Sequence, residues 1–119
     1  MIENPHQEMQ NFLNQTTFAI TITDKSGQVL AMNEKAIATF EKYGGAKLIG
    51  TSVFDCHPPQ AIEVINRLMQ THETNAYTIE KAGQKKLIYQ TPWYDNNEFA
   101  GYIELSLPLP ENIPHKVRS

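Results

Sequence analysis

Hydrophobic and polar positions alternate along several stretches of the chain, and this alternation predicts β-strands. Residues 18–23 alternate and are rich in β-branched side chains, so they predict a first strand. Residues 28–32 predict the returning strand of a hairpin, because the Asp-Lys-Ser-Gly sequence at 24–27 is typical of a turn. Three further strands are predicted at residues 75–81, 86–94 and 98–107. Pro108 and Pro110 then predict an end to strand pairing.

Helical spacing of apolar residues marks the N-terminal part and the middle of the chain. Met9, Phe12 and Leu13 recur at three- and four-residue spacing and predict a short amphipathic helix over residues 6–15. Asn33 is predicted to cap the next helix, because its side-chain oxygen can accept hydrogen bonds from the first amides of a helix. Helical segments are predicted over residues 34–43, 46–49 and 59–72, with two glycines at 44–45 ending the first.

This order of elements predicts an α+β domain with a five-stranded antiparallel sheet and helices packed on one face. A chain of 119 residues has room for one such domain. The predicted organisation is an N-terminal helix within residues 1–15, a domain over 16–108 and a flexible tail over 109–119.

Composition argues against several classes of function. The net charge of -3 and the lack of a basic stripe argue against binding to nucleic acid. One cysteine cannot form an internal disulfide, and the sequence shows no signal peptide and no apolar run of ~20 residues. We therefore expect a cytoplasmic protein that does not enter a membrane. No Ser-His-Asp signature and no glycine-rich phosphate loop is present, so we expect no enzymatic activity.

The predicted elements and their turn sequences resemble those of PAS domains. The likeness covers roughly residues 16–108, and its features are an Asp-x-x-Gly hairpin, an Asn that opens a helix, and a Leu-Ile-Gly segment. The residues that carry it are 18–22, 24–27, 29–33, 47–50 and 101–106. The resemblance implies a sensory role in signal transduction, with a pocket between sheet and helices that PAS domains use for heme, flavin, small metabolites or nothing. It also implies a homodimer formed through the N-terminal helix, at Met9, Phe12 and Leu13, and a signalling partner protein.

A narrower resemblance depends on the Cys-His-Pro-Pro turn at residues 56–59 and on the strands at 86–94 and 101–106. These segments are similar to those of a subgroup of prokaryotic PAS domains. Some members of that subgroup occur beside hemerythrin-like or uncharacterised domains.

Cys56 and His57 lie together in the turn before the longest predicted helix. His57 is a candidate axial ligand of heme or a contact for another ligand, and the alternative is a structural role such as satisfying a carbonyl. Cys56 could bind heme or respond to redox state, or it could simply fill space in the core. A flavin adduct is disfavoured, because light-sensing relatives place their cysteine in an Asn-Cys-Arg-Phe-Leu segment. A zinc site is also disfavoured, because a structural zinc site needs four ligands.

The strand at residues 86–94 supplies a second group of candidates. Strand alternation places Tyr89 and Trp93 on one face, where they could line a flat pocket, with Gln90 or Thr91 offering polar contacts. Asn33 is the further polar candidate for ligand binding. The alternative interpretation is that the aromatic residues form the ordinary core between sheet and helices. Tyrosines of neighbouring strands could join the surface, namely Tyr77, Tyr94 and Tyr102.

The sequence thus predicts a PAS-type sensory domain that responds to occupancy of its pocket. Two alternatives stay open: a heme-based gas or redox sensor that uses His57, and a protein-interaction or dimerisation module with a fully packed, ligand-free core. The identity of any cofactor is left open, with heme as one candidate.

Overall fold

A computed structural model describes residues 4–55 and 57–119 of the chain. Its five strands form one antiparallel sheet in the order β2-β1-β5-β4-β3. The elements are α1 (Pro5–Gln15), β1 (Ala19–Thr23), β2 (Val29–Met32), α2 (Glu34–Thr39), α3 (Pro59–Thr71), β3 (Asn75–Lys81), β4 (Gln84–Asp95) and β5 (Glu98–Pro108). This confirms the predicted α+β class. Within the described ranges, no helix is long and apolar enough to cross a bilayer.

The β1–β2 hairpin closes as its turn sequence predicts. Asp24 Oδ1 accepts hydrogen bonds from the backbone N–H of Ser26 and of Gln28, both at 2.9 Å. Gly27 has φ +88, and a Cβ at this position would meet the ring of Phe54 at 2.6 Å. A glycine is therefore required both by the backbone and by the close approach of the neighbouring loop.

The segment after Asn33 is less regular than predicted. Asn33 caps α2, accepting a hydrogen bond from Ala36 N–H at 2.9 Å, but the α-helix ends at Thr39 and not at residue 43. Short 3₁₀ helices follow at Glu41–Tyr43 and Gly45–Leu48. The reason is a tight chain reversal, in which Gly45 N–H donates back to Phe40 O at 3.0 Å and Gly44 and Gly45 both have positive φ.

The prediction that Pro108 stops strand pairing is wrong. Pro108 is the last residue of β5 and lies opposite Lys86 of β4. Pairing continues one residue further, because Leu109 N–H donates to Lys85 O at 2.9 Å. Successive backbone N–H groups of a strand point to opposite sides, so the missing N–H of Pro108 faces the β1 side. The pairing of β1 with β5 begins only at Ala19 and Ser106. A backbone N–H group at position 108 would therefore have no partner on β1.

A cluster of buried residues lies at the end of the sheet that contains the β1–β2 hairpin. Ala19, Val29, Met32 and Ala36 form a cluster between the β1–β2 hairpin and α2. On α3, by contrast, Leu68 is the buried residue and the other apolar side chains are half-buried. The space between α3 and the sheet is therefore less completely filled than the hairpin side.

Candidate ligand-binding cavity

A cavity of about 810 Å³ lies between the sheet and α3. Apolar side chains from both layers form much of its wall, including Val29, Met32, Phe40, Val53, Ile65 and Leu68. Ligand sites in proteins are mostly apolar concavities with a few placed polar groups, and this cavity has the size and walls of such a site.

A row of aligned residues crosses the sheet at the floor of the cavity. Asn75 of β3 pairs with Gln90 of β4, Gln90 with Glu104 of β5, Glu104 with Thr21 of β1, and Thr21 with Met32 of β2. All five side chains line the cavity. Because directly opposed residues point to the same face, the strand register alone brings these polar groups together.

Hydrogen bonds give this row a direction. Gln90 Nε2 donates to Glu104 Oε2 at 2.8 Å, and Asn75 Nδ2 donates to Gln90 Oε1 at 2.9 Å. A carboxylate can only accept, so it fixes the orientation of the Gln90 amide, which in turn fixes that of Asn75. This chain of hydrogen bonds therefore ends at a half-buried acceptor, the carboxylate of Glu104.

Two tyrosines stand beside this row and line the cavity. Burial, and then the negative charge of Glu104, raise the pKa of Tyr77 above the ordinary tyrosine value of 10.0. Burial raises the pKa of Tyr102 as well, followed by the charges of Tyr94 and Glu73. Both phenols are therefore protonated at neutral pH, and the Tyr102 O–H is directed to the carbonyl oxygens of Leu68 and Glu73.

His57 also lines the cavity, at the turn that precedes α3. Its ring is exposed, and Nδ1 lies 2.6 Å from the carbonyl oxygen of Val53. A carbonyl oxygen can only accept, so Nδ1 carries the proton of this contact, and in the neutral ring Nε2 carries the lone pair. The neighbouring candidate, Cys56, lies outside the described residues.

The structure places three predicted pocket residues elsewhere. Tyr89 and Trp93 do not line the cavity, because alternation along β4 puts them on the face opposite to Gln90. Tyr89 is partly exposed, and Trp93 Nε1 donates to Thr23 O at 2.9 Å. The expectation that this pair lines the pocket is therefore corrected, whereas Gln90 does reach the cavity.

Asn33 is the third residue that does not line the cavity. Its side chain is buried and occupied by the backbone: Oδ1 accepts from Ile20 N–H at 2.9 Å, and Nδ2 donates to Leu13 O at 2.7 Å and to Phe18 O at 3.0 Å. This network joins the end of α1 to β1 and α2. Asn33 therefore links these elements and lies outside the lining of this cavity.

Sequence reasoning did not name Thr21, Arg67, Asn75 or Glu104 as candidates for the cavity. All four residues line the cavity. The signal that could have found three of them is the register of the strands, which aligns Thr21, Asn75 and Glu104 with Gln90.

The predicted dimer residues lie on the open side of α1. Met9, Phe12 and Leu13 are 58%, 55% and 38% exposed, and no residue of α1 is buried. The helix begins at a regular cap, since Asn4 Oδ1 accepts from Gln7 N–H at 3.1 Å. Dimerisation through this surface stays a prediction.

No cluster of three or more histidine, cysteine, aspartate or glutamate residues that could hold a metal ion is found among residues 4–55 and 57–119.

A family described as "PAS domain" matches residues 9–107 of the chain. Among solved structures, the chain is similar to the PAS domain of BvgS from Bordetella pertussis, with 21% identity, a TM-score of 0.62, and coverage of 91% of this chain and 89% of that one. A C-terminal domain from Streptococcus mutans is 16% identical, with a TM-score of 0.69 and coverage of 87% and 84%. The Aer2 receptor from Vibrio cholerae, described as a dual PAS-heme oxygen sensor, is 14% identical, with a TM-score of 0.60 and coverage of 79% and 96%. No curated protein matches the chain.

Proposed function

The chain belongs to the PAS domain family, and we propose that it is a sensory domain in signal transduction that reports whether its cavity is occupied. The observation that carries this proposal is the cavity of about 810 Å³, which combines apolar walls with the polar row from Asn75 to Thr21. A ligand that binds one conformation of the domain more tightly shifts the population toward that conformation.

A connection from the cavity to α1 supports the proposed transmission of the signal. Met32 lines the cavity, and the next residue, Asn33, donates a hydrogen bond to Leu13 O near the end of α1. A ligand that displaces the end of β2 would therefore change the position of α1 relative to the sheet. The exposed apolar side of α1 would carry this change to a second copy or to a partner protein.

Native mass spectrometry of the purified protein, together with a cavity-filling variant, tests the sensory proposal. Ala61 is half-buried on α3 and lines the cavity, so Ala61→Trp is expected to abolish a bound mass that the unaltered protein retains. Ala38→Trp is the matched control, because Ala38 is exposed on α2 and lies outside the cavity lining. A folded Ala61→Trp protein that keeps the same bound mass would contradict the proposal. A bare chain mass for the unaltered protein would favour the interaction-module alternative.

Dimerisation through α1 is tested by a charge on its apolar side. Phe12→Asp is expected to convert a dimer into a monomer, because an aspartate cannot be buried in an apolar contact without a large desolvation cost. Asn14→Asp introduces the same charge at another exposed position of α1 and is expected to leave association unchanged. Light scattering after size-exclusion chromatography measures both, and an unchanged association state of Phe12→Asp would exclude this helix as the dimer element.

Heme is a second candidate for the ligand, favoured by the position of His57. His57 lines the cavity, and the contact of Nδ1 with Val53 O directs the lone pair of the neutral ring to Nε2, the atom that would hold the iron. Heme would supply a centre that binds diatomic gases or changes oxidation state. The similar Vibrio cholerae receptor is described as a heme oxygen sensor. A hemin titration tests this candidate: unchanged affinity and an unchanged absorption spectrum in His57→Ala would exclude His57 as the ligand.

We also propose that the chain belongs to the prokaryotic subgroup with a Cys-His-Pro-Pro turn. The support is the sequence of residues 56–59, which ends at the first residue of α3.

The alternative of a ligand-free interaction module requires a fully packed core, and the open space between α3 and the sheet counts against it.

A further inference from the structure

We propose that the ligand of the cavity is a small organic cation, an ammonium group carried on an apolar body, and that Glu104 is the residue that binds the ammonium group. This inference rests on the proposed function, because it names the chemical class that occupies the same cavity. Its basis is the hydrogen-bond pattern of the floor and the charges that line the cavity.

The carboxylate of Glu104 is not neutralised by the protein within the described ranges. It receives one hydrogen bond, from Gln90 Nε2, and no ion pair of this carboxylate is found among the described residues. A half-buried charge without a counter-ion is unfavourable, because desolvation is only partly repaid by one neutral donor. A bound cation would supply the missing charge.

The remaining polar groups of the floor reinforce this preference. The Gln90 amide is used at both ends, since its nitrogen donates to Glu104 and its oxygen accepts from Asn75. The Glu104 carboxylate is therefore the one charged group of the row, and the other groups that the row offers a ligand are neutral amides and a hydroxyl. A ligand with an ammonium group satisfies the carboxylate through a charge-assisted hydrogen bond.

An aromatic ring in the lining of the same cavity is also suited to a cation. Tyr77 lines the same cavity as Glu104 and lies two residues from Asn75 on β3, on the same face of the sheet. Ammonium groups are attracted to the faces of aromatic rings. Phe40, Ile65 and Leu68 then provide apolar contact for the body of the ligand.

Arg67 is the competing feature, because it also lines the cavity and carries a positive charge. It lies on α3 with an exposed side chain, whereas Glu104 lies on the central strand β5 and is half-buried. Solvent weakens the electrostatic interactions of an exposed group. Recognition of charge is therefore expected to be dominated by Glu104 and not by Arg67.

Calorimetric titration with three probes of similar shape tests this inference: 2-phenylethylamine, 2-phenylethanol and 3-phenylpropionate. We expect the amine to bind at least about tenfold more tightly than the alcohol and the carboxylate. Glu104→Gln, which keeps the shape of the side chain, is expected to weaken the amine about tenfold and to leave the alcohol unchanged. Glu80→Gln is the matched control, since Glu80 is an exposed residue of β3 outside the cavity lining.

The comparison of the three probes in the unaltered protein does not depend on how any variant folds. Equal affinity for amine and alcohol, or tighter binding of 3-phenylpropionate that Arg67→Gln removes, would overturn the cationic class while leaving the cavity as the sensory site. Binding of none of the probes would also overturn it. The bound mass and its loss in Ala61→Trp test the sensory function separately.

Discussion

The two ends of α3, which together form one wall of the cavity, are attached to the rest of the domain in different ways. The C-terminal end is fixed to the sheet by a buried side chain: Tyr102 Oη lies 2.7 Å from Leu68 O and 2.8 Å from Glu73 O. His72 ends the helix in the left-handed conformation, with φ 59, and its ring stacks on Phe99 at a centroid distance of 3.8 Å. This end is therefore held by hydrogen bonds and ring contacts together.

The N-terminal end is attached through an exposed turn. His57, Pro58 and Pro59 are all exposed, and the cap residue Pro58 makes no side-chain hydrogen bond. At this end, His57 Nδ1 lies 2.6 Å from Val53 O. Exposed segments open more easily than buried ones, so we expect a ligand to move this exposed end of α3 more than the C-terminal end.

The largest effect is expected where β5 approaches β1, one residue before Tyr102. Gly101 has φ +149, and a Cβ at this position would overlap the backbone of Thr23 and Asp24. Gly101→Ala is therefore expected to lower the free energy of unfolding by about 3 kcal/mol, through backbone strain and overpacking. Urea denaturation measures the change. Gly83→Ala, at φ +79 with nothing within 4 Å of the added Cβ, is the control and is expected to cost about 1 kcal/mol.

If both glycine variants lower the free energy of unfolding by the same amount, the approach of β5 to β1 does not constrain the sheet beside Tyr102. The difference between the ends of α3 would then not originate in the sheet.

Removal of the Tyr102 hydroxyl tests the C-terminal attachment directly. Tyr102→Phe keeps the ring but removes the donor to the carbonyls of Leu68 and Glu73, so we expect a loss of about 2 kcal/mol in unfolding free energy. Tyr94→Phe is the matched control at an exposed tyrosine and is expected to be nearly neutral. Hydrogen exchange should become faster at the last turn of α3 in Tyr102→Phe. Unchanged exchange there would show that the hydroxyl does not fix this end.

Alkaline pH should weaken the same attachment without a mutation. Burial raises the pKa of Tyr102 above 10.0, so the folded state holds this proton more tightly than the unfolded state. The resulting stabilisation is complete below pH 10.0 and is lost as the pH rises toward the folded-state pKa. Urea denaturation should show that the free energy of unfolding falls between pH 9 and pH 11. The fall should be less steep in Tyr102→Phe than in the unaltered protein. Equal slopes would mean that Tyr77 or unfolding of the whole domain accounts for the loss.

How far the sequence predicts these regions depends on the range of the interactions. The β1–β2 turn and the Asn33 cap are local, because Asp24 and Asn33 bond to amides within four residues, and both were predicted. The length of α2 was not predicted, because the helix ends at a chain reversal that is closed by the hydrogen bond from Gly45 N–H to Phe40 O. Nor was pairing beyond Pro108, which depends on where the neighbouring strand β1 begins.

The cavity shows the same limit more strongly. Gln90 and His57 were candidates from their residue types, but the row that contains Gln90 arises from the pairing of β3, β4, β5 and β1. A shift of one residue in the register would turn Gln90 away from the cavity and bring Tyr89 toward it, which is the arrangement that the aromatic pattern favoured. Composition could not decide between these faces, because both combine polar and apolar residues.

The smallest effect on stability is expected at the N-terminal end of α3. His57→Ala removes the contact of an exposed ring with Val53 O, so we expect a loss of at most about 0.5 kcal/mol in unfolding free energy. His72→Ala is the matched change at the other end and should cost about 1 kcal/mol, because it removes the stack on Phe99 and places alanine at positive φ. Thermal and urea denaturation of both variants measure the pair. A larger loss in His57→Ala would reverse the comparison, because the turn before α3 would then be the firmer attachment and the C-terminal end the part that a ligand moves.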